Sequence, residues 1–222
     1  MANFAADRDL LVLEPNLFRD VGWVGQRLSR GTGTVAGTTL TIASPEVALD
    51  TAGVTAGHVV VVAGVAYEVV TRLSATQLTI SRLREATSGA GAANIPPTAI
   101  TAVECSIVTF VPQIAMAHTE IVRLAGLEFT GTPAAGGAGA TDEASVVKEP
   151  GVVRLEAIGA LAIVWAAASG LLGAGSPGHQ RAEWYRERFV RERERVGIRV
   201  DLNGDGIAEE VRGLNAKRMR RG

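Results

Sequence analysis

Polar and apolar positions change rhythm four times along the chain. From Asp7, the leucines at 10, 11, 13 and 17 recur near the 3.6-residue period of a helix. Pro15 interrupts that run and predicts a short second helix over Pro15–Asp20, because its fixed φ suits a first turn and nothing later. Trp23 follows, expected as a packing anchor. From Gly31 to Phe110, Thr, Val and Gly dominate, in runs of four to eight residues bounded by Gly, Ser and Pro. That pattern predicts strands over Val35–Ile42, His58–Val62, Ala66–Leu73, Gln77–Ser81 and Ala102–Phe110. Thr39-Leu40-Thr41-Ile42 recurs as Gln77-Leu78-Thr79-Ile80, which suggests related strands of one small barrel. Gly53, Gly57 and Gly64 mark turns, and Gly89–Pro97 reads as a loop.

Helical rhythm returns at Pro112. Ile114, Ala117, Ile121, Leu124 and Ala125 share one face, and Gly126 is the expected stop. A Gly- and Ala-rich linker is expected over Thr130–Thr141. Beyond it, Pro150–Ser169 reads as a helix apolar on nearly every side, with Leu155, Ile158, Leu161, Ala162 and Trp165 in one stripe. Gly178–Val196 reads as a charged helix. Ala182, Tyr185, Phe189 and Val196 form its inner face, and the pairs Glu187–Arg191 and Arg188–Glu192 lie outside. Strands over Ile198–Leu202 and Ile207–Val211 then flank Asn203-Gly204-Asp205-Gly206, two dipeptides that tolerate positive φ. The fold class is therefore α+β. Residues 1–30 and 111–222 form a small helical bundle, residues 31–110 an inserted barrel or sandwich of about 80 residues, and the end a hairpin with a basic tail.

Composition narrows the function classes. Leu, Ile, Val and Phe make up 60 of 222 residues, enough for a packed core, while 35 Ala and 26 Gly allow backbones to approach closely. One cysteine excludes an internal disulfide and a thiolate-only metal cluster. Cys105 alternates with polar neighbours and reads as a buried small hydrophobe, and Ser106 lacks a nucleophile elbow. His58, His118 and His179 are scattered and read as surface or capping residues, since Glu120 lies off the helical face of His118. Gly31-Thr32-Gly33 lacks the remainder of any phosphate loop. No catalytic constellation results, and the chain reads as a non-enzyme that needs no cofactor. The apolar run Ala157–Leu172 has 16 residues, short of the about 20 a bilayer span requires, and favours a buried helix over a membrane segment.

Charge is uneven. Residues 1–177 carry 10 basic and 15 acidic side chains, and residues 178–222 carry 12 and 8, so a net charge of −1 hides an acidic body and a basic arm. Within that arm, Asp201-Leu-Asn203-Gly-Asp205-Gly206 matches the opening of a calcium loop. Arg212 stands where such a loop ends in a bidentate Glu, and Glu209 and Glu210 fall at its ninth and tenth positions. A plain hairpin turn is the favoured reading, with Asp201, Asn203 and Asp205 as candidate Ca²⁺ ligands of a binding module in the alternative.

Four stretches together resemble the head–tail connector (adaptor, or head-completion) proteins of tailed bacteriophages. They are Ala6-Asp7-Arg8-Asp9-Leu10-Leu11 through Glu14-Pro15, Pro112-Gln113-Ile114 to Leu124, Trp184-Tyr185-Arg186, and Asp201 to Gly206. The resemblance implies an adaptor-like bundle, commonly in twelve copies, forming a homo-oligomeric ring beneath the portal protein. Such a ring extends the channel through which genomic DNA passes and gives a platform to stopper or tail-completion proteins, at the neck of the virion and away from any membrane. It implies that the C-terminal arm, with Arg212, Lys217, Arg218, Arg220 and Arg221, docks on the portal. The apolar stripe Leu155, Ile158, Leu161 and Trp165 is then expected to meet neighbouring subunits, because each copy in a closed ring needs two different contact surfaces. The large β-insertion departs from the common adaptor plan.

Overall fold

The computed structural model describes residues 3–127, 143–173 and 175–214. The expected linker and the tail cations Lys217, Arg218, Arg220 and Arg221 lie outside the described residues. The chain divides into two compact units, residues 6–111 and residues 1–5 with 112–222.

The first unit opens with α1 (Asp7–Leu13) and α2 (Leu17–Asp20), separated at Pro15. Asp9 reaches back to accept the Ala6 amide at 2.8 Å, satisfying one of the free donors at the start of α1. Six strands follow: β1 (Gln26–Ala36), β2 (Thr39–Ile42), β3 (Val59–Val62), β4 (Val65–Arg72), β5 (Gln77–Ser81) and β6 (Ile100–Thr109). They close into an antiparallel barrel in the order β1-β2-β5-β4-β3-β6. The architecture is thus mixed helix and strand, and the β part is a barrel. The two copies of the Leu-Thr-Ile repeat lie on adjacent strands, with Leu40 opposite Leu78. Leu40, Ile42, Val60, Val69, Leu78, Ile80 and Ile107 fill the interior.

The expected single strand Val35–Ile42 is instead a hairpin. Gly37, with φ of +60°, opens a two-residue turn that pairs Ala36 with Thr39. The strand preceding it, β1, is missing from the hydrophobic pattern because its middle holds glycines. A Cβ on Gly31 would stand 2.7 Å from Ile42 Cγ2, and one on Gly33 would stand 2.7 Å from Leu40 Cδ1 and 3.0 Å from Cys105 Sγ. These glycines give up side chains so that the barrel interior can hold those of other strands. Since β1 begins at Gln26 and residues 6–30 belong with the barrel, the first unit starts well before the expected boundary at residue 31. Trp23 is 52% exposed and donates to the Asp20 carbonyl, so it is not the buried anchor expected.

The second unit contains α3 (Val111–Leu124), α4 (Pro150–Leu172), α5 (Pro177–Arg193) and a hairpin of β7 (Gly197–Val200) with β8 (Glu210–Gly213). Val152 and Leu155 of α4, Ile121 and Val122 of α3, Phe4, and Ile198 and Val200 of β7 pack into one core. At Gly159 of α4, a Cβ would lie 3.0 Å from the Phe189 ring of α5 and 3.1 Å from Ala117 Cβ of α3. That glycine lets three helices meet. With 23 residues, α4 is long and apolar enough to cross a bilayer by length and composition, yet most of its apolar window is buried in the protein.

Candidate functional site

The C-terminal turn is the first candidate. Strands β7 and β8 are shorter than expected, and the turn covers the nine residues 201–209. Asp201 organises it. One carboxylate oxygen accepts the Asn203 and Gly204 amides at 3.1 and 2.6 Å, and the other accepts the Gly206 amide at 2.6 Å. Desolvation pushes the Asp201 carboxyl up, but the amides of Gly206, Gly204 and Asn203 together outweigh it and hold the group below its ordinary range. Asp205 accepts the Ile207 amide at 2.7 Å, and Asn203 donates to Asp205 and Glu209. Carboxylate oxygens of Asp201, Asp205 and Glu209 lie within 4.8 Å of one another, a spacing that a divalent cation could bridge. Asn203, expected as a ligand, is engaged as a donor to the carboxylates; Glu209, at the ninth position, completes the set.

The apolar stripe is placed differently from its expected role. Leu155, Ile158, Leu161 and Trp165 are at most 4% exposed inside their own unit, and Arg181 covers the Trp165 ring at 4.7 Å. Side chains already buried within one copy cannot also meet a neighbour, so these four are core residues rather than subunit contacts. The cover that the all-apolar helix requires comes from α3, α5 and the hairpin. The Ala162, Ile163 and Ala166 edge of α4 is left partly open. With Met116 of α3, which is 61% exposed, that edge lines a groove of about 460 Å³. Glu120, His179, Glu183 and Arg186 edge it with both signs of charge.

Arg212, expected in the docking set, pairs with Glu210 at 3.2 Å and donates to the Gly126 carbonyl at 3.2 Å, which ties β8 to the segment after α3. The face of α5 carries the expected ion pairs, Glu187–Arg191 at 2.9 Å and Arg188–Glu192 at 4.0 Å. Arg188 also lies over the half-exposed Trp184 ring at 4.9 Å.

Two buried polar groupings were not legible as sites. In the barrel unit, Glu68 is fully buried between Arg8, at 2.7 Å, and Arg84. Arg8 also donates to the Arg84 carbonyl and Arg84 to the Ala92 carbonyl, both at 2.9 Å, so the cluster fixes α1 and the 82–95 loop to β4. In the helical unit, His118 is fully buried between Glu143 and Glu156. Cys105 behaves as expected: it is buried, donates to the Gly31 carbonyl at 3.3 Å, and burial pushes its thiol up. Compared with family models, curated proteins and solved structures, the chain matches none.

Proposed function

We propose that this protein is a structural head-to-tail adaptor of a tailed bacteriophage, a ring-forming subunit that sits under a portal and carries the stopper or tail-completion proteins. The reading rests on the four stretches that resemble connector proteins. The observation that carries it is the open apolar groove between α3, α4 and α5. The helical unit buries Leu155, Ile158, Leu161, Val164 and Trp165 of α4, and a groove of about 460 Å³ lined by Met116, Ala162, Ile163 and Ala166 is a surface for a neighbouring copy. Small residues there allow a second helix to approach closely, and the mixed charges at the edge set its register. The basic tail, Lys217 to Arg221, is the portal-docking element.

The test is co-elution with the cognate portal on size exclusion. The wild-type chain adds mass equal to a full ring. Ala166→Arg, placed on an exposed helical position, stays folded by circular dichroism and fails to add. Undiminished ring addition by that variant removes the groove from the interface, and absence of co-elution by the wild type removes the adaptor reading.

The convergence of Asp201, Asp205 and Glu209 favours a second reading, a calcium-dependent binding module. Calorimetry with Ca²⁺ distinguishes it. Heat at micromolar Ca²⁺ that disappears in Asp201→Ala supports the module, and no heat up to millimolar Ca²⁺ dismisses it.

A further inference from the structure

The helical unit encloses an ionisable group that neither surface uses. His118 of α3 is fully buried, and three other elements converge on its ring. From the short 3-10 turn Glu143–Ser145, Glu143 Oε2 lies 3.1 Å from Nε2. From α4, Glu156 Oε1 lies 3.2 Å from Nδ1, close enough for an ion pair although off the line of a good hydrogen bond. From the N-terminal segment, the Phe4 ring tilts against the imidazole with centroids 4.5 Å apart. The second Glu156 oxygen accepts the Ala5 amide at 2.7 Å. On α3 itself the charged neighbours in sequence, Glu120 and Arg123, face solvent.

A neutral imidazole has one N–H. With a carboxylate at each nitrogen, the neutral ring would hold a lone pair against an anion in a dry site. While both carboxylates are ionised, only the imidazolium places a proton toward each of them. Burial works against the charged ring, but the contacts with Glu156 and then Glu143 outweigh it and hold His118 above its ordinary value.

The two carboxylates are not anchored equally. Glu156 belongs to a 23-residue helix and holds the Ala5 amide as well. Glu143 belongs to a three-residue turn whose following residues are hydrogen-bonded alongside β7 of the hairpin. The Ser145 carbonyl accepts the Asp201 amide at 2.8 Å, Val146 bridges to Val200, and the Val147 amide donates to the Arg199 carbonyl at 2.9 Å. We propose that Glu143–Val147 is a proton-controlled strap, held down by the His118 imidazolium and released from its anchor when that proton leaves. A histidine proton favoured by the fold stabilises fully below the unfolded value near 6.5, and that contribution disappears as pH rises through the folded value. The strap is therefore closed on the acid side and loosened on the alkaline side, and with it the attachment of β7.

Amide hydrogen exchange on the full chain from pH 6 to pH 9, corrected for the intrinsic rate, tests this beside an NMR titration of the His118 ring. An Asp7→Asn background removes from the comparison the buried Asp7 carboxyl, which burial raises to about 7. Protection at Val146 and Val147 is expected to fall at least tenfold in step with a ring titration above 6.5. Glu143→Gln, which keeps the imidazole and its α4 partner, is expected to abolish that pH dependence, and His118→Gln to leave the strap weakly protected at every pH. Protection that stays flat while the ring titrates, a ring that titrates below 6.5, or wild-type pH dependence in Glu143→Gln overturns the proposal.

Discussion

Asp7 is 1% exposed and accepts the Phe110 amide at 2.8 Å. Burial raises its carboxyl to about 7, against the hydrogen bonds from Thr109 and Phe110, with Asp9 adding a smaller push upward. The sign follows from proton counting. Between about pH 4 and pH 7 the folded chain holds a proton that the unfolded chain has released, so Asp7 costs stability as pH rises across that window. Asp7→Asn keeps an oxygen for the Phe110 amide and cannot ionise. Urea titrations at pH 4.5 and pH 8 are expected to show the variant losing less stability between the two than the wild type does, and equal losses would contradict the assignment. Glu68 is a second buried acidic residue, placed between the guanidinium groups of Arg8 and Arg84. Glu68→Gln leaves Arg84 without a carboxylate partner and Arg8 with Asp9 alone, at 3.4 Å, and chemical denaturation is expected to show a loss of about 3 kcal/mol. None of these roles is legible along the chain. Arg8 meets Glu68 60 positions away, and Asp7 meets Phe110 103 positions away. The acidic neighbour of His118 along the chain is Glu120, whereas its partners are Glu143 and Glu156, which folding supplies from other elements.

At the scale of elements, periodicity served well where one face alone is buried and failed where glycine replaces a side chain for packing reasons. The rhythm of Ile114, Ala117 and Ile121 predicts α3, and all three are buried. The Leu-Thr-Ile repeat predicts related strands, and β2 and β5 pair through it. β1 was invisible because Gly31 and Gly33 sit where its inward residues belong. For α4 the sequence shows an apolar surface on every side without showing what covers it, which is how core residues came to be read as subunit contacts. Gly159 measures how tight that cover is. Gly159→Leu is expected to lower stability by about 1–3 kcal/mol in thermal denaturation, because the added atoms have only the Phe189 ring and Ala117 to displace. An unchanged melting temperature would mean that α5 does not pack on α4 as described.

For the whole molecule, two compact units divide the work. The barrel unit buries one charged cluster around Glu68, and the helical unit exposes an apolar groove, an acidic turn and a charged helix face. An acidic body joined to a basic arm was legible from composition alone, and so was the inserted β part. The groove was not, because it is defined by which edge of α4 its neighbours leave uncovered. The adaptor reading depends on that edge being covered in the assembly. Electron microscopy of the protein mixed with its cognate portal tests this most directly. The account predicts a closed ring seated on the portal, with a neighbouring copy packed over Met116, Ile163 and Ala166 of each subunit. Portal particles bare of added density, or a ring in which those residues remain open to solvent, would contradict it.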